Sequence, residues 1–232
     1  MSGDLVRFDA TGRSATIVLN RADQANRVNL AMMRNLIDAL ERATATDSDV
    51  LVVTAAGPDF SLGRDQDEKP VGMSKRDNLS LILEANRLLT GFRGVTVAAV
   101  RGRALGFGSG VAVQCDLTIA ADTAQFGFTE ILHGFAPSIV MSYLETYVKR
   151  KAAVDLVMTG RSVSAVEARD LGLVTRVVAE DVLDVVVAAT VDSLLAKPTA
   201  ALRHGKAFLR EIGSVPDHER AKRALDALAP LS

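Results

Sequence analysis

The chain has 232 residues, of which 27 are lysine or arginine and 28 are aspartate or glutamate, so its formal net charge is −1 at pH 7. Its 48% apolar and 24% charged residues are ordinary for a globular protein and exclude a disordered or fibrous chain. The balanced charge and the 4% aromatic content argue against nucleic-acid binding, which relies on a cationic surface and on aromatic side chains that stack on bases.

Cysteine content and hydropathy narrow the class further. The single cysteine, Cys115, excludes an intrachain disulfide and a cysteine-rich zinc site. The longest unbroken apolar run, 185–189, has five residues, whereas a membrane span needs about 18 or more. Residues 1–7 lack the basic stretch and apolar block of a signal peptide. We therefore expect a cytoplasmic protein with no metal and no nucleic-acid or membrane partner.

The first half of the chain predicts alternating strands and helices. A turn at 11–13 and a β-rich segment at 14–20 indicate an N-terminal hairpin. Apolar residues recur at helical spacing between Met32 and Leu40, and Asn29 is a suitable N-cap for that helix. Further predictions in this half are buried strands at 50–54, 95–101 and 117–121, a loop at 69–75, and helices at 79–89 and 111–114.

The pattern becomes mainly helical beyond Pro137. This change predicts an α/β body followed by a helical C-terminal region, without a fixed-period repeat or a low-complexity linker. The helices predicted in this half cover 139–149, 151–158, 164–171, 181–196, 198–212 and 216–229.

A glycine-rich segment follows the predicted strand at 95–101, with Gly102, Gly106, Gly108 and Gly110 in nine residues. Such glycines let the backbone approach a ligand and aim N–H groups at a negatively charged oxygen. They are also compatible with a tight strand-to-helix turn that has no ligand. A dinucleotide-binding loop is disfavoured, because its third glycine would fall at Val111.

A second strand, at 50–54, also runs into a glycine-containing turn, which extends to residue 65. The body can therefore carry two backbone N–H donors on two different loops. Two such donors aimed at one developing negative charge form an oxyanion hole.

The motifs of these segments occur in a characteristic order, which extends over roughly residues 5–210. By this order and spacing the chain resembles the enoyl-CoA hydratase/isomerase, or crotonase, superfamily. The matching motifs are VTxxGxxFSxGxD at 53–65, AAVxGxALGxG at 98–108, CD at 115–116, AQFG at 124–127 and EI at 130–131, with LNR at 19–21, Asn26, LxMTG at 156–160, AxEA at 165–168 and GLV at 172–174.

The resemblance implies an α/β fold of the ClpP/crotonase type, a spiral of ββα units that forms two nearly perpendicular sheets. It places an acyl-CoA site in a core of residues 1–195. It also implies a helical trimerisation region at 196–232, shorter than usual in the family. The expected assembly is a homotrimer or a dimer of trimers.

The resemblance further implies a coenzyme A thioester as substrate, with no permanently bound cofactor. The thioester oxygen would rest on the backbone N–H groups of Arg64 and Phe107, and Phe107 would add bulk to the acyl pocket. Contacts to the coenzyme are expected from Arg21 and Arg27 and from the backbone of Ser61, Leu62 and Gly63, and we also assign Asp65 and Gly106 to this site.

The carboxylates depart from the family pattern. Hydratases of the family use two glutamates, and Glu130 matches the second, whereas Gly110 stands at the position of the first. A single carboxylate can still take a proton from C2 of a 3-enoyl thioester and return it at C4. We therefore expect isomerase-type enolate chemistry with Glu130 as the proton shuttle. The alternatives are a hydratase with a replacement acid and a non-catalytic CoA-binding protein.

Other polar residues near these motifs have two interpretations. His133 could share a face with Glu130, but a lone histidine is more often structural. Asp67 and Glu68 could supply an acid near the acyl pocket, but are more often solvated. Asp65 and Asp116 match family positions outside the proton-transfer pair and are interpreted as structural. Ser138, where hydratases commonly carry glycine, could cap the next helix.

Overall fold

The strands of the chain form two separate sheets. The computed structural model describes residues 4–68 and 71–228, so the predicted loop at 69–75 and the end of the predicted helix at 216–229 lie partly outside it. The strands are β1 (Val6–Thr11), β2 (Ser14–Leu19), β3 (Val50–Ala55), β4 (Val95–Val100), β5 (Arg103–Leu105), β6 (Leu117–Ala121), β7 (Gln125–Gly127), β8 (Ser162–Ser164) and β9 (Arg176–Val178).

The larger sheet has the order β1-β2-β3-β4-β6-β9, and the smaller sheet has the order β5-β7-β8. The large sheet is parallel except for the β1–β2 hairpin, which confirms the predicted N-terminal hairpin. The predicted strands at 50–54, 95–101 and 117–121 are confirmed as β3, β4 and β6. Their side chains are almost all buried, which explains their continuous apolar runs.

The helices connect and cover these strands. Among the described residues, no single helix is long and apolar enough to cross a membrane; the pair Glu180–Leu195 and Thr199–Ile212 meets that test only together, across a bend of 102°. The α-helices are α1 (Leu30–Ala45), α2 (Lys75–Gly91), α3 (Phe107–Gln114), α4 (Ser138–Met141), α5 (Arg150–Thr159), α6 (Ala165–Leu171), α7 (Leu183–Leu195), α8 (Thr199–Ile212) and α9 (Asp217–Leu228).

The chain passes repeatedly from the large sheet to the small one and then into a helix. It runs from β4 through β5 into α3, and from β3 through 61–64 into α2. Single parallel bridges, Val28 with Arg64 and Ser61 with Ala104, continue the small sheet across these turns. This repeat is the spiral of strand, strand and helix that the family resemblance implies.

The predicted start of α1 is confirmed. The Asn29 side chain accepts a hydrogen bond of 2.8 Å from the Met32 N–H, as an N-cap does. Glu68 adds a second cap from the loop after β3, because its Oε2 accepts a bond of 2.6 Å from the Leu30 N–H. Glu68 is therefore bound to a helix end and is not the solvated residue that the sequence suggested.

The continuous helix predicted at 139–149 is wrong. Helix α4 ends at Met141, and a separate 3-10 turn covers Leu144–Thr146. Val140, Leu144 and Val148 are buried. The spacing of apolar residues at 139–149 therefore reflects which side chains are buried and does not require an unbroken helix. Strands β5, β7, β8 and β9 were not predicted, because three residues are too few to show an alternating pattern.

Helix α8 is held to the core by two ionic clusters, of which the one around Asp49 is buried. The Asp49 carboxylate has no exposed surface and accepts hydrogen bonds from Arg13 (2.5 Å), Arg203 (2.8 Å) and Thr199 (2.6 Å). Lys206 of α8 contacts the Asp116 carboxylate at 2.7 Å. These contacts fix α8 against the amino-terminal ends of β3, β4 and β6, the central strands of the large sheet.

We predict that Asp49→Asn lowers the free energy of unfolding by about 2 kcal/mol, because two guanidinium groups lose their buried acceptor charge. Burial alone would raise the pKa of Asp49, but hydrogen bonds from Thr199 and Arg13 and the charge of Arg203 outweigh it and lower that pKa. The stabilisation is therefore present at neutral pH and is lost as the pH falls through the lowered pKa.

Urea denaturation at pH 7 and at about pH 3 measures both effects, because the difference in stability between wild type and variant should become smaller as the pH falls. The matched control is Asp38→Asn, since the Asp38 side chain is 66% exposed and lies 3.8 Å from Arg42. Equal losses at pH 7 for the two variants would contradict the assignment of Asp49 as an anchor.

Candidate functional site

The two glycine-containing loops meet in the structure. Gly63 adopts a φ of +82°, and a Cβ at this position would lie 2.8 Å from the Leu105 carbonyl oxygen and 3.3 Å from the Phe107 nitrogen. A side chain at position 63 would therefore push the loops apart, and would also be strained by the positive φ. Glycine at this position brings 61–65 against the start of α3.

Two backbone N–H groups at this contact are free. The bridge of Val28 with Arg64 uses bonds from Val28 N–H to the Gly63 carbonyl (2.8 Å) and from Asp65 N–H to the Val28 carbonyl (3.1 Å). The Arg64 N–H is thus outside the ladder. Phe107 is the first residue of α3, so its N–H has no intrahelical acceptor. Within 4–68 and 71–228, neither N–H donates a hydrogen bond.

The Glu130 carboxylate lies beside the same contact. A Cβ on Gly106 would be 3.4 Å from Glu130 Oε1 and 3.8 Å from the Gly63 Cα. Glu130 Oε2 is fully buried and has no hydrogen-bond partner among the described residues. Burial is the main influence and raises the pKa of Glu130; a backbone hydrogen bond and the charge of nearby His133 act in the opposite direction.

The side chain of Arg64 holds the first loop in place. This side chain is partly buried, and its guanidinium donates a bond of 2.7 Å to the Asn78 side chain on α2. Burial is the largest influence and lowers the pKa of Arg64, whereas the carboxylates of Glu68 and Asp65 raise it. The residue thus has a free N–H on its backbone and an anchoring contact on its side chain.

Two of the residues expected to contact the coenzyme are paired with each other. Arg21 Nη1 lies 2.6 Å from Asp65 Oδ2 and also donates a bond of 2.7 Å to the Arg27 carbonyl. The hydrogen bond from Arg21 is the main cause that lowers the pKa of Asp65. This pair ties the loop after β2 to the loop after β3, while the Arg27 side chain is exposed.

The backbone of 61–63 is mostly engaged. The N–H groups of Ser61, Leu62 and Gly63 donate to the Arg103 carbonyl, the Ala25 carbonyl and the Ser61 hydroxyl. The carbonyls of Ser61 and Gly63 accept from Leu105 and Val28. Of the six backbone groups, only the Leu62 carbonyl lacks a partner within the part of the chain that the structure describes. The expectation of exposed backbone groups at 61–63 is therefore narrowed to that carbonyl.

The remaining expectations have mixed outcomes. The Phe107 side chain is buried at 6% exposure and belongs to the hydrophobic core. Asp116 accepts bonds from the Thr96 N–H and hydroxyl, in keeping with its structural interpretation. His133 and Asp67 are exposed. Ser138 does not cap α4, whose N-cap is Pro137 with no side-chain hydrogen bond.

Tyr143 is the site residue that sequence reasoning missed. A Cβ built on Gly110 would lie 2.6 Å from its hydroxyl oxygen. The phenol therefore stands at the position where a side chain on residue 110 would begin. The two positions are 33 residues apart in the chain, and the sequence between them carries no local signal of this contact, because it arises where helix α4 ends.

Comparison with known proteins shows the family of this chain. The family model described as enoyl-CoA hydratase/isomerase matches residues 11–227. The chain belongs to the enoyl-CoA hydratase/isomerase family. It is 34% identical to the 2,3-dehydroadipyl-CoA hydratase of Escherichia coli (strain K12) over 176 residues, which are 73% of this chain and 67% of that protein.

Solved structures agree with the family assignment. An enoyl-CoA hydratase from Mycobacterium smegmatis superposes with a TM-score of 0.91 at 30% identity, covering 97% of this chain and 90% of that one. A Thermobifida fusca protein crystallised in complex with acetoacetyl-CoA gives 0.86 at 32% identity, covering 98% and 95%. The expected crotonase fold is confirmed, and the chain is an enzyme of the hydratase/isomerase type.

The loop contact of this family member predicts the effect of a methyl group at position 63. We expect Gly63→Ala to lower the free energy of unfolding by at least about 3 kcal/mol, through the positive φ and the clash with α3. Gly12→Ala is the matched control, because Gly12 has a φ of +59° and open space around its Cβ position. It should cost about 1–2 kcal/mol. Equal losses in chemical denaturation would show that the loops do not restrict position 63.

Proposed function

We propose that this protein isomerises 3-enoyl-CoA thioesters to 2-enoyl-CoA thioesters through an enolate. In this proposal Arg64 and Phe107 supply the two N–H groups that hold the thioester oxygen, and Glu130 moves the proton. The observation that carries it is the Glu130 carboxylate, whose Oε1 lies beside Gly106 and whose buried Oε2 has no partner among the described residues, next to two free N–H donors. A buried carboxylate with no protein partner among the described residues is costly for folding, as functional groups often are.

The two N–H donors stabilise the charge that forms on the thioester oxygen. They belong to the backbone, and the Gly63 contact and the α3 start hold them in place before a substrate arrives. Preorganised donors of this kind contribute about 2.7–4 kcal/mol each to transition-state stabilisation. Since the donors are main-chain groups, the large side chains of Arg64 and Phe107 do not interfere with this role.

One carboxylate suffices for the proton transfers. Glu130 takes a proton from C2, and the electron pair of that bond spreads over the thioester as a dienolate. The same proton then returns at C4, so the double bond moves from C3–C4 to C2–C3 and the carboxylate is restored. The raised pKa of Glu130 suits both steps, because it makes the group a stronger base and keeps it a usable acid.

We also propose where the coenzyme binds. Its thioester end lies at the loop contact, and its polar end lies near the exposed Arg27 and the unpartnered Leu62 carbonyl. Arg21, Asp65, Ser61 and Gly63 support this region through the ion pair and the backbone bonds described above. The Thermobifida fusca relative crystallised with acetoacetyl-CoA supports a CoA thioester as the substrate class.

For assembly we propose a homotrimer or a dimer of trimers in the cytoplasm. Residues 1–195 would form the catalytic core, and 196–232 would be the trimerisation region. The support is an apolar surface on α8 and α9, where Leu209, Leu225 and Leu228 are 74%, 71% and 61% exposed. Large exposed leucines of this kind indicate a surface that a neighbouring subunit covers.

The second candidate function is hydration of 2-enoyl-CoA with a replacement for the missing glutamate. The Tyr143 hydroxyl at position 110 is the observation that favours it. Both candidates use the same enolate and the same N–H donors. Hydration also requires the oxygen of a water molecule to be held next to C3, whereas isomerisation does not.

Replacement of Glu130 tests the proton shuttle. We expect Glu130→Gln to lower kcat on a 3-enoyl-CoA by about 10²–10⁴-fold, because the amide cannot accept the C2 proton. Glu145→Gln is the matched control, since Glu145 is about half exposed and pairs with Arg150 at the surface. Full turnover by Glu130→Gln would refute the role. Tight CoA-thioester binding by the wild type without turnover would favour a non-catalytic CoA-binding protein.

The raised pKa of Glu130 predicts two opposite pH effects. The value of kcat/KM falls as the pH is lowered through this raised pKa, because the base becomes protonated. The charged carboxylate destabilises the fold at neutral pH, and this cost decreases as the pH falls through the same pKa and is absent below the pKa of the unfolded chain. A pH–rate profile should therefore have an acid limb, and Glu130→Gln should melt at pH 7 no lower than the wild type. A lower melting temperature would contradict the assignment.

A further inference from the structure

The contact between Gly110 and Tyr143 is the feature that the proposed isomerisation leaves unused. The Tyr143 hydroxyl oxygen lies 2.6 Å from the point that a Cβ on residue 110 would occupy, and the Tyr143 Cζ lies 3.8 Å from it. Only the hydroxyl is too close for a methyl group at 110. A side chain larger than hydrogen at residue 110 therefore cannot be accommodated with the Tyr143 hydroxyl in its present position.

The position of the Tyr143 ring is set by its surroundings. The chain leaves the helical conformation at Tyr143, where φ is −131°, and this turn directs the ring toward α3. The ring packs edge-on against Tyr147, with centroids 6.4 Å apart at 85°. The two residues are the only tyrosines of the chain. The side chain of Tyr143 therefore has a defined place and is not a mobile surface group.

The Tyr143 hydroxyl is a neutral hydrogen-bond donor that has no acceptor in the part of the chain that the structure describes. It makes no hydrogen bond to any residue in 4–68 or 71–228, whereas the nearby Gly110 carbonyl is already bonded to Gln114 Nε2 at 3.0 Å. Burial, followed by the charges of Glu130 and Tyr147, raises the pKa of Tyr143. The proton therefore stays on the phenol across the range in which Glu130 ionises.

Two polar groups that have no partner among the described residues lie one helical turn apart at the start of α3. The Glu130 carboxylate is 3.4 Å from the Cβ position of Gly106, and the Tyr143 hydroxyl is 2.6 Å from that of Gly110, whose N–H donates to the Gly106 carbonyl. Glu130 Oε2 accepts, and the Tyr143 hydroxyl donates. A small ligand atom that both accepts and donates hydrogen bonds would satisfy the two groups together. A water molecule or an alcohol oxygen has this property, whereas the hydrocarbon chain of a 3-enoyl thioester does not.

We propose that Tyr143 is a further catalytic residue, whose hydroxyl holds the oxygen that adds to or leaves from C3 of the acyl chain. The site would then also interconvert 2-enoyl and 3-hydroxyacyl thioesters. This inference rests on the proposed function, because it uses the same enolate, the same two N–H donors and Glu130 as the only group that transfers protons.

The reaction balances without a net change at Tyr143. The phenol donates a hydrogen bond to a water molecule, and Glu130 takes a proton from that water as its oxygen bonds to C3. The π electrons of the C2–C3 double bond move toward the thioester, and the enolate oxygen rests on the two N–H groups. Glu130 then gives the proton to C2, which yields the 3-hydroxyacyl thioester and restores the carboxylate. Dehydration is the reverse sequence.

Because isomerisation has no oxygen at C3, the two reactions separate the role of the phenol from a structural one. We expect Tyr143→Phe to lower kcat for hydration of a 2-enoyl-CoA by about 10–100-fold, with isomerisation of the matching 3-enoyl-CoA and both KM values changed by no more than about threefold. Tyr147→Phe is the matched control and should alter neither reaction.

A second variant tests the contact itself. Gly110→Ala displaces the hydroxyl and should lower hydration as Tyr143→Phe does. In the Tyr143→Phe protein the same alanine meets no hydroxyl, so the double variant should lose no more than either single variant. Circular dichroism spectra and melting temperatures of all variants, compared with the wild type, show whether each protein is folded.

The outcomes separate this inference from the function on which it rests. A wild type that isomerises but does not hydrate overturns the role of Tyr143 alone. So does an unchanged hydration rate in Tyr143→Phe, or an equal loss of both reactions. A wild type that catalyses neither reaction, or a Glu130→Gln protein that retains both, overturns the proposed function.

Discussion

The close contact between the loop at 61–65 and the first turn of α3 is the constraint on which the rest of the site depends. Gly63 allows it, since any Cβ there would collide with the Leu105 carbonyl and approach the Phe107 nitrogen. The contact places the free N–H groups of Arg64 and Phe107 on adjoining backbone segments, the loop at 61–65 and the first turn of α3. The donors are thus set by main-chain geometry, which explains how this chain can carry arginine and phenylalanine at these positions.

The carboxylates with shifted pKa values differ in whether they are paired with an arginine. Asp49, Asp59 and Asp65 each meet an arginine, and their pKa values are lowered. Glu130 is the exception, because one oxygen is buried without a partner among the described residues and burial raises its pKa. The ion pairs hold the loops and α8 in place, and the stability they contribute helps to offset the cost of an uncompensated carboxylate in the site.

Motif order in the sequence was sufficient to predict the fold type and the family, and the family model and the solved structures confirm both. The placement of Asn29 at the start of α1 and of three buried strands also followed from local pattern, because caps and apolar runs are local properties. The three-residue strands of the small sheet did not, since their identity depends on a pairing partner. The unbroken helix at 139–149 failed because burial at every fourth residue imitates a helix.

The sequence by itself determined which residue types were available: glycines at 63, 106 and 110, one matching carboxylate at 130, and no glutamate at 110. It could not say what fills the space beside Gly110, because that depends on where the backbone turns more than thirty residues later. Only the tertiary structure decided that the Tyr143 hydroxyl stands there, and that the Arg21 side chain is occupied by Asp65. Both facts concern contacts between distant segments, whose distances are set by packing and not by local residue preference.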